Sequence, residues 1–368
     1  MKSLKDSSSK EIALHGSYYY QNFGDILMLD IMTKWIKEYN NEYKVFLPHA
    51  SEEITQNIGA DGYGTKSLLK ADALVYGGGG YLGEPPSKKY LWGLRAALRH
   101  TPAGSIMKMQ NKPYAIVGVG VGPISNPITR KSFTYLCKNA NILAVRDEES
   151  RNYLLEYGLS EEKVLQTSDI VMQLKREDIG EEYFKQANTD LAQLKQPIKI
   201  GIHLGANPFA ENTELLKEEI IQIAKRNKDI GLVLLRDGWG PHPQVLHDIK
   251  KALPEQSLVI PYNNHWYFSA VLGSLDLVIT TKLHVGITAT ALGKVAISIS
   301  AHGKTPRFYK QIGASERCIP LHLFKKGQVN ELVQMCISDL SNLYHVPEDV
   351  IENSKRNKKL LYSFLDNI

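Results

Sequence analysis

Short apolar runs alternate with longer amphipathic segments along most of the chain. The strand candidates of the first half are residues 12–15, 44–47, 73–76, 114–119 and 142–145. Those of the second half are residues 198–204, 231–235, 258–260, 277–280 and 295–299. Segments with helical periodicity, such as 25–39 and 90–107, lie between them. This alternation predicts parallel sheets covered by helices.

A polar, charged segment at residues 169–196 separates the two series of strands. We therefore predict an α/β protein with two Rossmann-like doubly wound domains, at residues 11–185 and 197–345. A length of 368 residues also favours two domains. Residues 346–368 form a C-terminal helix, for which packing back on the first domain is one option. This order of domains is GT-B-like and implies an active site in the inter-domain cleft, a similarity of fold that does not specify chemistry.

Composition and charge narrow the class of partner. The 44 Lys and Arg residues exceed the 39 Asp and Glu residues by only five, and they are scattered, which argues against nucleic acid. Two basic clusters stand out, one at residues 88–99 and one at residues 355–359. We interpret both as solvated helix faces, with weak attraction to acidic phospholipids as the alternative.

The sequence also bears on location and cofactors. Cys137, Cys318 and Cys336 are isolated in the sequence, which suits a reducing cytoplasm. The polar N-terminus is not a secretory signal, and no run of about 18 apolar residues predicts a membrane span. We expect a cytoplasmic protein, with peripheral contact at the cytoplasmic face of the membrane left open. No histidine, aspartate or glutamate set has metal spacing, so no metal or cofactor is expected.

Three glycine-rich segments follow strand candidates of the first half. In the first, which spans residues 16–25, Asn22 and Asp25 can hydrogen-bond a polyol, or Asp25 can simply cap the next helix. The second, Gly77 to Gly80 followed by Tyr81, can receive an anion at a helix start or form a tight structural turn. The third segment, residues 118–123, has the same two interpretations.

Two arginines follow strand candidates directly. Arg146 comes after residues 142–145, and Arg236 comes after residues 231–235. An arginine at a strand end can clamp a phosphate or a carboxylate through two parallel hydrogen bonds. A surface salt bridge is the alternative for Arg146.

The most informative segment is residues 277–287, where an apolar strand runs through Thr280 and Thr281 into Lys282, Leu283 and His284. This pattern predicts Lys282 and His284 at the first turn of a helix, which attracts anions. A histidine there is a candidate for proton transfer, and a buried core histidine is the alternative. His49, His100, His247 and His345 are interpreted as surface or loop residues.

Together, these motifs resemble the polysaccharide pyruvyl transferase family over residues 12–308. The resemblance rests on Gly16 with Asn22, Gly24 and Asp25, on the Gly77–Gly80 run, on residues 118–123, on Arg146-Asp147 with Ser150, and on Thr281 to His284. It implies transfer of a pyruvyl unit from phosphoenolpyruvate to a sugar of a cell-surface polysaccharide precursor, with formation of a ketal. The acceptor would be a lipid-linked oligosaccharide.

The resemblance also implies roles for individual residues. His284 matches the catalytic histidine of the family. Lys282 occupies a position at which many members have an arginine that binds the donor, and Leu283 beside it belongs to the same donor-binding segment. Arg146 would be a second donor clamp. Some relatives carry an arginine at the position of Gly205, and Arg236 is the substitute here. The first domain would bind the acceptor through Asn22, Asp25, Gly79, Gly80 and Tyr81.

Two other functions stay open at this stage. One is a nucleotide-sugar glycosyltransferase of the same GT-B architecture. The other is a non-catalytic sugar-binding subunit of a polysaccharide assembly complex, which the replacement of arginine by Lys282 allows.

Overall fold

The structure is a computed structural model that describes residues 9–18, 22–84, 89–205, 212–236, 244–300, 303–339 and 346–368. The chain forms two compact units. The first contains residues 1–21, 25–170 and 352–368, and the second contains residues 22–24 and 171–351.

The first unit is built on a parallel sheet. Its strands are β1 (Glu11–His15), β2 (Lys44–Leu47), β3 (Gly62–Tyr63), β4 (Ala73–Tyr76), β5 (Gly79–Leu82), β6 (Tyr114–Val121), β7 (Ile142–Val145) and β8 (Leu165–Gln166). They lie in the order β3-β2-β1-β4-β6-β7-β8, and β5 pairs with β6. The helices between them are α1 (Phe23–Tyr39), α2 (Glu52–Asn57), α3 (Ser67–Lys70), α4 (Lys89–Met109), α5 (Pro127–Asn139) and α6 (Glu148–Glu156).

The second unit repeats this design. Its strands are β9 (Ile198–His203), β10 (Ile230–Leu235), β11 (Ser257–Ile260), β12 (Leu277–Thr280), β13 (Val295–Ser300) and β14 (Cys318–Pro320). They are parallel and lie in the order β11-β10-β9-β12-β13-β14. The helices are α7 (Arg176–Ile179), α8 (Glu181–Leu191), α9 (Asn212–Arg226), α10 (Gln244–Ala252), α11 (His265–Gly273), α12 (Leu283–Ala291), α13 (Lys304–Gln311) and α14 (Gln328–Ser338). Short 3₁₀ helices span Ile170–Gln173, Ser315–Arg317 and Leu321–Leu323.

The predicted fold class, two Rossmann-like α/β domains, is confirmed. Each sheet begins with the doubly wound strand order in which the fourth strand lies beside the first. The central strands are buried on both faces because helices cover the sheets, so they read as continuous apolar runs. For that reason the predicted strands agree with the observed ones to within two residues.

Two of the predicted glycine turns are strands instead. Gly79 and Gly80 open β5, and residues 118–121 continue β6. Gly118 has a φ of 68°, and the pairing of β6 with β7 shifts register between Ile116 and Val119, as in a β-bulge. The glycines therefore bend and extend the sheet. No helix starts directly after Gly80, so the helix-start anion site expected there is wrong.

The second unit begins earlier than the predicted boundary between residues 185 and 197. Helices α7 and α8 both pack against α11. The Tyr267 hydroxyl on α11 donates a 2.6 Å hydrogen bond to the Asp190 carboxylate on α8. Residues 171–185, which the prediction placed in the first domain, belong to the second unit, and the buried ring of Phe184 on α8 lies beside Gly273 of α11.

The last helix is α15 (Glu348–Leu365), and its residues from Glu352 onward belong to the first unit. The Ser354 hydroxyl donates to the Asp169 carbonyl at 2.6 Å, and the Asn357 amide donates to the Ser168 carbonyl at 2.8 Å. Lys358 forms an ion pair with Glu38 at 2.7 Å. The buried carbonyls of the segment after β8 thus receive side-chain donors from this helix.

A buried histidine pair lies at the carboxyl end of β1. The Nε2 atom of His15 is 2.8 Å from Nδ1 of His100 on α4, and both rings are almost fully buried. His100 was expected at the surface, so that interpretation is wrong. Burial lowers the pKa of His100 to about 3, assisted by the charges of Arg99 and His49. Burial, followed by His100, also lowers the pKa of His15 well below its usual value.

These histidines should make the protein sensitive to acid. The unfolded chain binds their protons below about pH 6.5 and the folded chain does not, so stability falls as the pH drops through that value. Each histidine contributes about 1.4 kcal/mol per pH unit in this range. The variant His100→Asn should lose less unfolding free energy than wild type between about pH 7.5 and pH 5, as measured by urea unfolding.

The matched control is His247→Asn, which makes the same change at an exposed histidine of α10. Its pH dependence should equal that of wild type. An unchanged pH dependence in His100→Asn would show that the buried pair does not cause the effect.

Candidate functional site

The strand order of the second unit defines where a ligand is expected. The order reverses between β9 and β12, and ligands of doubly wound sheets bind outside the carboxyl ends of strands at such a switch point. Gly205 follows β9, and Lys282 follows β12. The Gly205 N–H donates to the Thr281 hydroxyl at 2.8 Å, so the two loops are joined there.

Lys282 occupies the N-cap position of α12 with extended backbone angles (φ −111°, ψ 134°). Its N–H donates to the Thr280 hydroxyl at 3.0 Å, which holds the chain as it turns from strand to helix. The side chain is half-buried, and its stem passes close to Gly205, where a Cβ would lie 3.6 Å from Lys282 Cε. The lysine at 282 and the position where some relatives carry an arginine are therefore neighbours in space.

His284 is the second residue of α12 and is 9% exposed. The other eight residues of the helix carry no ionisable side chain, and most of the helix is buried. The imidazole is therefore held by an apolar helix whose N-terminal end carries a partial positive charge. The predicted helix-start position of Lys282 and His284 agrees with the structure.

Gly24 explains one of the sequence motifs. Residues 22–24 belong to the second unit, and a Cβ at Gly24 would lie 2.3 Å from Cβ and Cγ of His284 and 2.4 Å from Nδ1. The Phe23 ring packs on Phe268 of α11 with centroids 4.6 Å apart. The glycine of the Asn-x-Gly-Asp segment thus leaves the space that the imidazole fills.

Two further histidines lie near this edge of the second sheet, and the sequence analysis did not single them out. His203 ends β9, is buried, and lies opposite Thr280 in the strand register, with Nδ1 3.4 Å from the threonine hydroxyl. His265 begins α11 after the N-cap residue Asn264 and is also buried. A polar residue that ends a buried apolar strand was the signal that could have identified His203.

Arg236 directly follows β10, the neighbour of β9 on the side away from β12, and is half-buried. Residues 237–239, which follow it in the predicted loop, lie outside the described residues. Arg236, Gly205 and Lys282 therefore follow three adjacent strands at one edge of the sheet, because parallel strands end on the same side.

Arg146 has a different environment from the one expected of a donor clamp. It is buried at the end of β7, and its guanidinium forms a 2.9 Å ion pair with Asp169 and lies 3.7 Å from the Asp147 carboxylate. Two carboxylates compensate its charge. These ion pairs favour a structural role for Arg146. The alternative of a salt bridge is therefore closer to the structure, but the bridge is buried and not at the surface. Asp147 caps α6 by accepting the Ser150 N–H at 2.7 Å.

The switch point of the first unit lies between β1 and β4. Asp25 is half-buried within the first turn of α1, which begins at Phe23, so it is not the N-cap. Gly79 (φ 122°) lies beside it, since a Cβ there would be 3.6 Å from the Asp25 carboxylate. Gly80 is exposed. Asp25, Gly79 and Gly80 are thus brought together at the carboxyl ends of the strands.

Tyr81 is a core residue and does not present its ring to a ligand. Its hydroxyl donates to the Gly77 carbonyl at 2.7 Å, and its ring stacks on His100 with centroids 4.6 Å apart. The predicted acceptor contact of Tyr81 is therefore not supported by its position. Tyr18 is buried as well, and Tyr19 and Tyr20 lie outside the described residues.

The described residues contain no group of three or more His, Cys, Asp or Glu side chains placed to hold a metal ion. None of the helices in these ranges combines the length and the apolar character that crossing a bilayer requires.

The fold and the site define a GT-B-like α/β protein with a cation and a histidine at a helix start. The solved structure of UDP-GlcNAc 2-epimerase from Neisseria meningitidis, bound to UDP-GlcNAc, is similar, with 13% identity, a TM-score of 0.67, and 98% of this chain and 100% of that chain covered. UDP-GlcNAc 2-epimerase from Methanocaldococcus jannaschii has 13% identity, a TM-score of 0.64, and coverage of 96% and 100%. Anabaena Alr3699/HepE in complex with UDP has 11% identity, a TM-score of 0.60, and coverage of 98% and 100%.

These similarities establish the fold alone, since identity is low. No curated protein is similar enough in sequence to count as a match. A model of the family described as polysaccharide pyruvyl transferase matches residues 22–303, which is more than half of the chain. The chain therefore belongs to the polysaccharide pyruvyl transferase family.

The contact between Gly24 and His284 predicts a cost for any side chain at residue 24. Gly24→Ala should destabilise the protein by about 1–3 kcal/mol, because the methyl group meets the imidazole and the helix backbone cannot yield freely. Urea unfolding measures the change.

Gly303→Ala is the matched control, since a Cβ there meets nothing within 4 Å. This variant should unfold as wild type does. Equal stability of both variants would mean that residue 24 and His284 are not packed in this way.

Proposed function

We propose that the protein transfers a pyruvyl group from phosphoenolpyruvate to a sugar of a polysaccharide precursor, forming a cyclic ketal. The observation that carries this proposal is the placement of Lys282 and His284 at the start of α12, beside the switch point of the second sheet. Family membership supports the class of reaction.

The donor explains why cations surround this position. Phosphoenolpyruvate carries a carboxylate and a phosphate on a three-carbon frame, so its binding site needs several positive groups. The first turn of α12 offers backbone N–H groups and the positive end of the helix dipole, and Lys282 adds a full charge. Arg236, two strands away from Lys282, is the second cation in the proposal. Arg146 is left out because Asp169 and Asp147 compensate its charge.

His284 acts as a general acid in this scheme. Its imidazolium protonates the methylene carbon of phosphoenolpyruvate, which makes the adjacent carbon cationic. A sugar hydroxyl bonds to that carbon and gives up its proton, which restores the imidazolium. The bond between this carbon and the phosphate oxygen then breaks, and the electron pair stays on the phosphate. A second hydroxyl attacks the same carbon and gives its proton to the phosphate, which then leaves the site.

The surroundings of His284 suit this role. The helix dipole and Lys282 stabilise negative charge on the departing phosphate, which is the usual source of a large part of catalysis. Gly24 and the apolar residues of α12 fix the imidazole in one place, which supports proton transfer to a positioned substrate.

The acceptor is assigned to the first unit in this proposal. Asp25 can accept hydrogen bonds from sugar hydroxyls, and Gly79 and Gly80 allow a sugar to approach the backbone. Asn22, just before α1, supplies an amide. The proposed acceptor is a lipid-linked oligosaccharide, and the proposal needs no metal or cofactor besides phosphoenolpyruvate as co-substrate.

The role of His284 is tested by His284→Ala. Turnover, measured as phosphate release from phosphoenolpyruvate in the presence of lipid-linked glycans, should fall by about 10²–10⁴-fold. His247→Ala, at an exposed position of α10, should keep wild-type turnover. Near-normal turnover of the His284→Ala protein would remove the histidine from the mechanism.

The role of Lys282 is tested separately. Lys282→Ala should raise the KM for phosphoenolpyruvate by roughly tenfold or more, since a charge-assisted contact contributes about 1.5–3 kcal/mol. Lys282→Arg should bind the donor at least as well as wild type. Lys251→Ala, at an exposed position of α10, is the control. An unchanged KM in Lys282→Ala would contradict a donor contact.

A nucleotide-sugar donor is the second candidate. It is favoured by the similarity of fold to structures that hold UDP or UDP-GlcNAc. The same assay separates the two, because a glycosyltransferase releases the nucleotide from UDP-sugars and leaves phosphoenolpyruvate intact. Release of neither product, with glycan binding retained, would indicate a non-catalytic sugar-binding subunit.

A further inference from the structure

Helix α4 is apolar on two opposite sides. Its inner side packs on the first sheet and on α5 through small or buried residues, which include Gly93, Ala97, Ala103 and Met107. Its outer side also carries large apolar residues, and these are exposed. The solvent side of a surface helix is normally polar, so the large apolar residues on the outer side of α4 require an explanation.

Large exposed apolar residues lie on α4 and on the neighbouring helix α3. On α4 they are Tyr90 (67% exposed), Leu91 (54%), Trp92 (46%), Leu94 (40%) and Leu98 (68%). On α3, which packs against α4, Leu69 is 59% exposed. We call this set of residues, with the cations between them, the α3–α4 face. Leu91, Leu94 and Leu98 are spaced to share one side of α4, and a cluster of large exposed apolar residues often marks a binding site.

The charge of the α3–α4 face has a single sign. Residues 89–112 contain five Lys and Arg residues and no Asp or Glu, and residues 62–71 contain two lysines and no acid. Lys66, Arg95 and Arg99 are exposed among the apolar side chains. The excess of positive charge in these two stretches points to a negatively charged partner.

A cavity of about 570 Å³ opens between the two helices. Leu68, Leu98 and Ile106 contribute apolar walls, and Lys66 and Arg99 contribute positive charge. The same pocket thus offers contacts to an apolar chain and to a phosphate. A phospholipid carries both an apolar chain and a phosphate, so it fits both kinds of contact.

We propose that the α3–α4 face docks on an anionic phospholipid bilayer. The leucines and aromatic residues enter the interface between head groups and acyl chains, and the arginines and lysines pair with lipid phosphates. Trp92 and Tyr90 have amphipathic rings, which prefer the boundary between membrane and water. The cavity between the helices takes the head group of one lipid.

A second copy of this chain is the competing occupant. A symmetric dimer would bring the same surface of two protomers together and would place Arg95 and Arg99 against equally basic surroundings. Like charges without an acidic partner oppose that contact. The anionic membrane has the complementary charge, and for that reason we choose it.

The test is sedimentation of the full chain with lipid vesicles. Vesicles of phosphatidylglycerol and phosphatidylcholine in equal parts should bind the protein, and vesicles of phosphatidylcholine alone should bind it at least tenfold more weakly. Arg95→Glu with Arg99→Glu should reduce binding to the anionic vesicles by at least roughly tenfold, since each basic residue contributes about a fivefold factor. Leu91→Glu with Leu98→Glu should do the same, because burial of the leucines is lost.

The matched control is Lys225→Glu with Arg226→Glu, which reverses two exposed charges at the end of α9 in the second unit. It should bind vesicles as wild type does, and circular dichroism should show all variants folded. Equal binding to both vesicle types, or equal loss in the control, would overturn the proposal.

A different result would identify the competing occupant. The face is a dimer interface if three results are found together. The wild-type protein is then a dimer in analytical ultracentrifugation, the variant Leu91→Glu with Leu98→Glu is a monomer, and wild type does not bind vesicles. Vesicle binding needs neither donor nor acceptor, so this test is independent of the proposed pyruvyl transfer.

Discussion

The packing of the His284 imidazole against Gly24 is the contact on which the candidate site depends. The absence of a side chain at residue 24 leaves room for the ring, with which a Cβ would otherwise collide. Because the imidazole is confined there, the helix dipole and Lys282 act on a group with a fixed position. Proton transfer to a small anionic donor requires this kind of fixed geometry.

Parallel sheets impose the second constraint. All strands of the second unit end at one edge, so Arg236, Gly205 and Lys282 lie on neighbouring loops although they are far apart in the chain. The same rule brings Asp25 and Gly79 together in the first unit. Chemistry in such a fold depends on loop residues, while the buried strands mainly supply stability. The fold can therefore support several reactions, and its similarity to epimerases does not decide the donor.

The sequence predicted most of the fold, because strands buried on both faces must be apolar and helices must have one apolar side. It also placed Lys282 and His284 at a helix start correctly, since Thr280 and Thr281 end a buried strand. It could not predict that Gly79 and Gly80 lie in a strand, or that β6 continues through Gly120 and Val121, because glycines are common in both turns and bulges. It also assigned His100 to the surface, as only the packed position beside His15 explains its burial.

The sequence by itself determined the two α/β units, the family, and the residue types at the start of α12. These features are local or repeat with a fixed period, so the order of residues is sufficient to recognise them. Only the tertiary structure decided which of these side chains are accessible to a ligand and which are held by other residues. Arg146 is compensated by Asp169, Tyr81 is stacked on His100, and Leu98 remains exposed. Each of these outcomes depends on a neighbour distant in the chain, and side-chain packing, not sequence spacing, selects that neighbour.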